Sequence, residues 1–310
     1  MEDLEKIFTS KNISESSKNL YLKNLQRLNG GEVKNFKFLK DIEGILEKLK
    51  DYKPNTQRSY IISIVSLLKT LSESKKGYKK LYDEYFLILD KMNKDLKDQT
   101  QKTDTEKENW IGQEGVKTKW CEMYDDYLKI KDKKKLSSGE YETLLHFLIL
   151  SLFVLQKPRR NKDYQELYVV KKWKPEYGDK DNYLDLNRKE FFFNNYKTQG
   201  TYKTQKQDVD EVLMEIILTY LKHHPHRSQL RQKDAHLQFL VNKDGKPLEQ
   251  INDITRILNG IFGRKIGSSM MRKLYLTDKY SDTLEQMEED AKAMGTSANT
   301  IKNNYAKKDD

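Results

Sequence analysis

Through roughly the first hundred residues, apolar side chains recur at three- and four-residue intervals, the spacing of one face of an α-helix. Ser14 stands where it can cap a helix carrying Leu20, Tyr21, Leu25 and Leu28. A second helix is predicted around 35–50, with Phe38, Ile42, Ile45, Leu46 and Leu49 on one side. Pro54 sits at a helix start, and Tyr60, Ile61, Ile64, Leu67, Leu68 and Leu71 follow at helical spacing. A fourth helix runs from about 78 through Leu81, Tyr85, Leu89 and Met92. Four such helices make a small bundle.

The pattern then breaks. Residues 95–109 are polar and charged with no apolar anchor, and read as a linker. Trp110 and Ile111 restart the hydrophobic content, which places a boundary near residue 103 and divides the chain into 1–102 and 103–310. In the second part, Ser137 and Glu140 form a capping box for a helix over 140–155. Its apolar run, Leu144 to Leu155, is too short to span a bilayer and reads as a buried core helix. Strand character follows at Leu167–Val170, Tyr183–Leu186 and Glu190–Tyr196, which suggests an antiparallel sheet of about three strands. A helix at 208–222, a short strand at Leu237–Val241 with a turn at 242–245, and helix over 247–306 complete the expectation. The fold class is mainly α with a small antiparallel sheet, α+β.

Composition narrows the partners. The 310 residues hold 58 Lys and Arg against 48 Asp and Glu, a formal charge of +10. That excess favours a polyanion, most simply nucleic acid, although charge alone separates neither DNA from RNA nor either from an anionic membrane. The single cysteine, Cys121, excludes an intrachain disulfide and suits a reducing compartment. The N-terminal MEDLEKIF lacks the layout of a signal peptide, so an intracellular location is expected, cytoplasmic or nuclear.

Candidate chemistry lies in four places. Near the C-terminus, Met294-Gly295-Thr296-Ser297 is followed by Tyr305, nine residues after Thr296. Upstream, Ser269-Met270-Met271-Arg272 opens a helix. Pro158-Arg159-Arg160 with Asp163 joins the buried helix to the first strand, and Tyr196-Lys197-Thr198 follows a strand. Taken in order, these resemble the catalytic motifs of tyrosine recombinases, the phage-type integrase family. The first arginine falls on Arg160, with Arg159 as the alternative. The lysine falls on Lys197, with Lys203 in reserve. The second arginine falls on Arg272 and the nucleophile on Tyr305. Two positions depart from the family: Ser269 and Thr296 stand where it has histidines. The Lys-, Asn- and Tyr-rich composition also resembles recombinases of AT-rich mobile elements and large DNA viruses of protists.

The resemblance implies a helical core-binding domain and a catalytic domain that close as a clamp on double-stranded DNA. It also implies a 3′-phosphotyrosine intermediate and four protomers on DNA in a full reaction; a monomer is possible when free. The chemistry is coherent. Two permanently charged guanidiniums can fork onto a pentavalent phosphate, a lysine can protonate the leaving oxygen, and a tyrosine ester conserves the bond for religation. No metal or cofactor is required, and no membrane. Between Ile254 and Thr277 lie Arg256, Arg264, Lys265, Arg272 and Lys273 without an acidic residue, a candidate phosphate-binding patch. A type IB topoisomerase shares the expected chemistry without site choice. A DNA-binding homologue with impaired catalysis is the other alternative, motivated by the two missing histidines.

Simpler readings stand beside these. Arg159-Arg160 could be a solvated helix end, and Ser269, Thr296 and Ser297 could be helix caps. His223-His224-Pro225-His226 invites a metal reading, but it has no Cys or carboxylate partner at ligand spacing. Lys133-Lys134-Lys135 reads as a solvated loop or a DNA-backbone contact.

Overall fold

In the computed structural model, the described residues are 4–97, 102–232, 234–250, 252–294 and 298. They fall into two compact units that meet at Lys102/Thr103, each with its own hydrophobic core. No described helix is long and apolar enough to cross a membrane.

The first unit is helical: α1 (Leu4–Thr9), α2 (Glu15–Asn29), α3 (Ile42–Leu49), α4 (Pro54–Ser74) and α5 (Lys79–Lys97). Ser14 caps α2 by accepting from the Ser17 amide, and Gly30, at φ +76°, closes it in the left-handed conformation that glycine adopts freely. Pro54 occupies the first turn of α4, whose Ile61, Ile64, Leu67 and Leu68 are fully buried. The helix expected over 35–50 is in fact two pieces. A 3-10 turn covers Lys37–Lys40, and the Asp41 carboxylate then accepts from the Gly44 amide and starts α3 afresh.

The stretch read as a linker is largely helix. The fifth helix continues to Lys97, and α6 (Asp104–Asn109) begins at a capping box in which Thr103 and Glu106 exchange hydrogen bonds. Residues 98–101 lie outside the described set. The anchors of α6 are polar. Glu106 pairs with Lys273, and the Asn109 side chain accepts from the Lys265 amide.

The second unit is built on α7 (Gly112–Ile130) and α8 (Ser138–Val154). Residues Leu144 to Phe153 of α8, His146 apart, are buried on every side, and Ser137 and Glu140 cap its start reciprocally. Next come α9 (Asn161–Gln165), β1 (Leu167–Val170), β2 (Asn182–Asp185), β3 (Glu190–Phe193), α10 (Gln199–Tyr202) and β4 (Gln205–Asp208). The chain continues through α11 (Glu211–His223), β5 (Leu237–Gln238), α12 (Asp253–Phe262) and α13 (Ser268–Ala293).

The sheet has five strands in the order β4-β3-β2-β1-β5 and is mixed, which corrects the antiparallel expectation. The first two strands run parallel, in the register Val169↔Leu184. Residues 171–181 supply the crossover that parallel strands need, and Trp173 and Tyr177 on it pack against Val170, Tyr183 and Phe192. The third strand ends at Phe193, short of the expected Tyr196. The buried Asn182 Oδ1 accepts from both the Asn194 and Asn195 amides at 2.8 Å and draws the chain off the ladder.

Candidate active site

The C-terminal end of α8 delivers Arg159 and Arg160 to the start of α9, and their environments differ. The Arg159 side chain is 15% exposed, and its Nε donates to Asp163 Oδ2 at 2.9 Å. Its Nη1 donates to Gln205 Oε1 of β4 at 2.8 Å. Its guanidinium lies 3.8 Å from the centroid of the Phe193 ring and 5.0 Å from that of Tyr196. This guanidinium is thus held by two hydrogen bonds and two aromatic rings. Arg160 supplies the backbone N-cap of α9 in extended conformation, and its carbonyl accepts from the Asp163 amide at 3.1 Å. Among the described residues, its guanidinium has neither an ion pair nor a hydrogen bond.

Asp163 is the hub. It is 2% exposed, and its Oδ1 has no hydrogen-bond partner among the described residues. Burial raises its pKa above the ordinary carboxylate value, and the Arg159 charge, then that of Arg160, act in the opposite direction. Arg272, in the first turns of α13, belongs to the same electrostatic group. Burial lowers its pKa most, the Arg160 charge lowers it further, and the Asp163 charge raises it. Two guanidiniums from distant parts of the chain thus act on each other's charge, and the buried Asp163 carboxylate acts on Arg272 as well. The set carries excess positive charge in a partly desolvated place, which suits an oxyanion.

Ser269 is exposed in the first turn of α13. It does not cap the helix, because Gly267 holds the cap position. Its Oγ instead accepts from Arg272 Nη2 at 3.3 Å, while Arg272 Nε reaches the Ser268 carbonyl at 3.4 Å. A cavity of about 250 Å³ opens beside Arg272, between Lys157–Pro158 and Tyr275, Lys279 and Tyr280 of α13.

Lys197 and Lys203 both lie on the connection between the antiparallel strands β3 and β4, and both are exposed. The Lys197 ammonium has no partner among the described residues. Lys203 sits at φ +55°, and its carbonyl accepts from the Tyr196 hydroxyl at 2.6 Å. Tyr196 therefore joins the root of this loop to Arg159. Neither lysine contacts Arg160 or Arg272 through a hydrogen bond. Thr296 and Tyr305 lie outside the described residues.

Asn182, Gln205 and Tyr196, none of them expected from the sequence as a site residue, hold this arrangement. Asn182 donates to the Asp163 carbonyl at 3.1 Å and to the Asn195 carbonyl at 3.0 Å, tying α9 to the base of the lysine loop. Gln205 and Tyr196 fix Arg159. Asn182 follows a charged run, Asp179-Lys180-Asp181, and precedes the expected start of the strand at Tyr183, so nothing in the sequence marked it as buried.

The basic patch is less free than its sequence suggests. Arg256 is ion-paired to Asp253 at 3.5 Å, and Lys273 is paired to Glu106. Arg264 reaches the Glu108 carbonyl at 3.5 Å. The acidic partners come from just outside the run and from α6. No family model, curated protein or solved structure matches the chain, so the reading of the site rests on its own residues.

Proposed function

We propose that the chain is a DNA strand-cleaving and rejoining enzyme of the tyrosine recombinase type, acting as a site-specific recombinase or integrase on duplex DNA. The observation that carries this reading is that Arg272 lines one cavity with Lys157 and Pro158, just before Arg160, and that the charges of Arg160 and the buried Asp163 act on it there. Arg160 and Arg272 bind the non-bridging oxygens of the scissile phosphate and stabilise its pentavalent state. Arg159, bound to Asp163 and Gln205 and packed on two rings, holds the turn in which Arg160 is presented. Tyr305, having lost its hydroxyl proton to solvent, attacks the phosphorus, forming the tyrosyl–phosphate bond at the 3′ side as the bond to the 5′-oxygen breaks. Lys197, on its exposed loop, gives that oxygen its proton. Religation reverses the step. The protomers assemble as a tetramer on DNA.

The test is capture of the covalent intermediate. Duplexes with randomised sequence and a nick that lets the cleaved strand diffuse away are incubated with the protein, and adducts are resolved under denaturing conditions. The parent forms an adduct whose peptide maps to Tyr305, and Tyr305→Phe binds the same duplexes without forming one. An adduct that persists in Tyr305→Phe, or that maps elsewhere, refutes the assignment. A second reading, a DNA-binding homologue with impaired catalysis, draws on Ser269: a hydroxyl engaged with Arg272 stands where the family places a histidine. Duplex binding with no adduct in any variant favours it.

A further inference from the structure

Two sequence features that this function leaves unused, the lysine run at 133–135 and the histidine run at 223–226, meet at one cavity. It measures about 460 Å³ and lies at the N-terminal end of α8. Lys134 and Lys135, His223, Arg227, and Lys243 line it, together with one carboxylate, that of Asp244. Among the described residues Lys134 and Lys135 have no ion pair, and the only side-chain hydrogen bond of Arg227 goes to the Lys222 carbonyl at 2.6 Å. Lys243 is paired with Glu142 at 3.4 Å. His223 Nε2 is buried with no hydrogen-bond partner.

The histidines do not assemble as metal ligands. His224 Nε2 is bonded to the Gln238 carbonyl at 3.1 Å, and its Nδ1 accepts from the His226 amide. His226 Nε2 is bonded to the Gly245 carbonyl at 2.9 Å. Only His223 is left to face the cavity, among cations that would repel a metal ion.

We propose that this cavity is a second anion site, which takes a compact polyphosphate such as the phosphate chain of a nucleoside triphosphate. Its cations come from three segments and surround a concave space of the size that encloses a small ligand. A duplex backbone would engage a more extended surface. The positive end of α8 is already offset by Glu140 of its capping box, which is also paired with Lys133, so the field of the cavity comes from its side-chain cations. Seventeen residues of helix, about 25 Å, separate this end of α8 from the end that leads to Arg160, so the two sites are distinct. The proposal does not rest on the recombinase reading.

The test is calorimetric titration of the full chain with inorganic tripolyphosphate. The parent binds it saturably. Lys134→Gln/Lys135→Gln weakens binding by about 100-fold, roughly ten-fold per charge-assisted contact. Arg227→Gln, a second variant on a different segment, weakens it about ten-fold. Arg160→Ala/Arg272→Ala leaves it within about two-fold. ATP in place of tripolyphosphate reads the source: tighter binding identifies a nucleotide and equal binding the phosphate chain alone, and either sustains the site. Absence of saturable binding up to millimolar concentration overturns the proposal, as does binding that is lost with Arg160 and Arg272 but kept without Lys134 and Lys135. If Lys134→Gln/Lys135→Gln weakens binding of a duplex oligonucleotide as much as that of tripolyphosphate, the cavity belongs to a DNA surface and the proposal fails.

Discussion

Arg159 and Arg160 are adjacent and chemically identical, yet replacing the first should destabilise the fold and replacing the second should leave it nearly unchanged. In Arg159→Ala, Asp163 stays 2% exposed and loses its 2.9 Å partner. Removing one member of a buried ion pair typically costs about 3–5 kcal/mol, because the remaining charge is left uncompensated. The side-chain exposures of the pair, 15% and 3%, justify the buried figure. Asp163 has one escape, which is to take up a proton. Against an unfolded value near 3.9 that costs about 1.4 kcal/mol per pH unit, or about 4 kcal/mol at pH 7, so the two routes give a similar deficit.

The pH sign follows from the direction of the shift. Burial already raises the Asp163 pKa, and losing Arg159 raises it further. A carboxyl whose folded pKa is raised contributes stability that is present below its unfolded pKa and lost as pH rises through the folded one. The Arg159→Ala deficit is therefore largest near neutrality and shrinks on acidification towards pH 4. The three tryptophans, Trp110, Trp120 and Trp173, all lie in the second unit, so their fluorescence follows the unfolding of that unit alone. A loss of about 3–5 kcal/mol corresponds to a Tm lower by roughly 6–20 °C for a unit of this size. Arg160→Ala, whose guanidinium has no partner to strand, should stay within about 0.5 kcal/mol of the parent. An Arg159→Ala as mild as that, a deficit that grows on acidification, or an equally destabilising Arg160→Ala would refute these roles.

Under the proposed chemistry, Arg160→Ala and Arg272→Ala should each slow single-turnover cleavage by about 10²–10³ while duplex binding falls far less; equal losses in binding and cleavage would make them ordinary DNA contacts. Ser269→His and Thr296→His should each speed cleavage, within the roughly 10²–10⁴ that general-base help supplies. The parent rate should keep rising above neutral pH as tyrosine ionises; a fast parent with a plateau below pH 7 would mean that another group already serves as the base.

What was legible in the sequence was local. The α2 cap at Ser14, the α4 start at Pro54 and the capping box of α8 are short-range chemistry, and each is present where expected. What was missed depends on contacts between distant residues. The fourth strand, Gln-Lys-Gln-Asp, has no apolar alternation because it is an edge strand whose side chains pack little, and Gln205 serves Arg159 instead. The short helix α6 looked like a linker because its anchors, Glu106 and Asn109, are polar. The parallel pairing of β1 and β2 is set by a crossover with no regular period. The same limit governs the site. The chain shows two arginines side by side, but which one is engaged and which is free is decided by Phe193, Tyr196 and Gln205, on elements far along the sequence.

The departures at 269 and 296 bear on the base of the proposed reaction and leave its charge intact. The two guanidiniums and the lysine supply fixed positive charge whatever stands at those positions, and that electrostatic contribution is commonly the largest in phosphoryl chemistry. A serine hydroxyl can donate to a phosphate oxygen but is a poor base near neutral pH. In the free protein the Ser269 Oγ accepts a 3.3 Å hydrogen bond from Arg272, which is long and easily exchanged for a phosphate oxygen that Arg272 would bind more strongly. Under the proposed chemistry Ser269 would hold the place of the anion: a phosphate bound by Arg272 would free the hydroxyl to donate to the same oxygen. The expected result is an enzyme with its phosphate grip preserved and its nucleophile poorly activated, slow rather than inert.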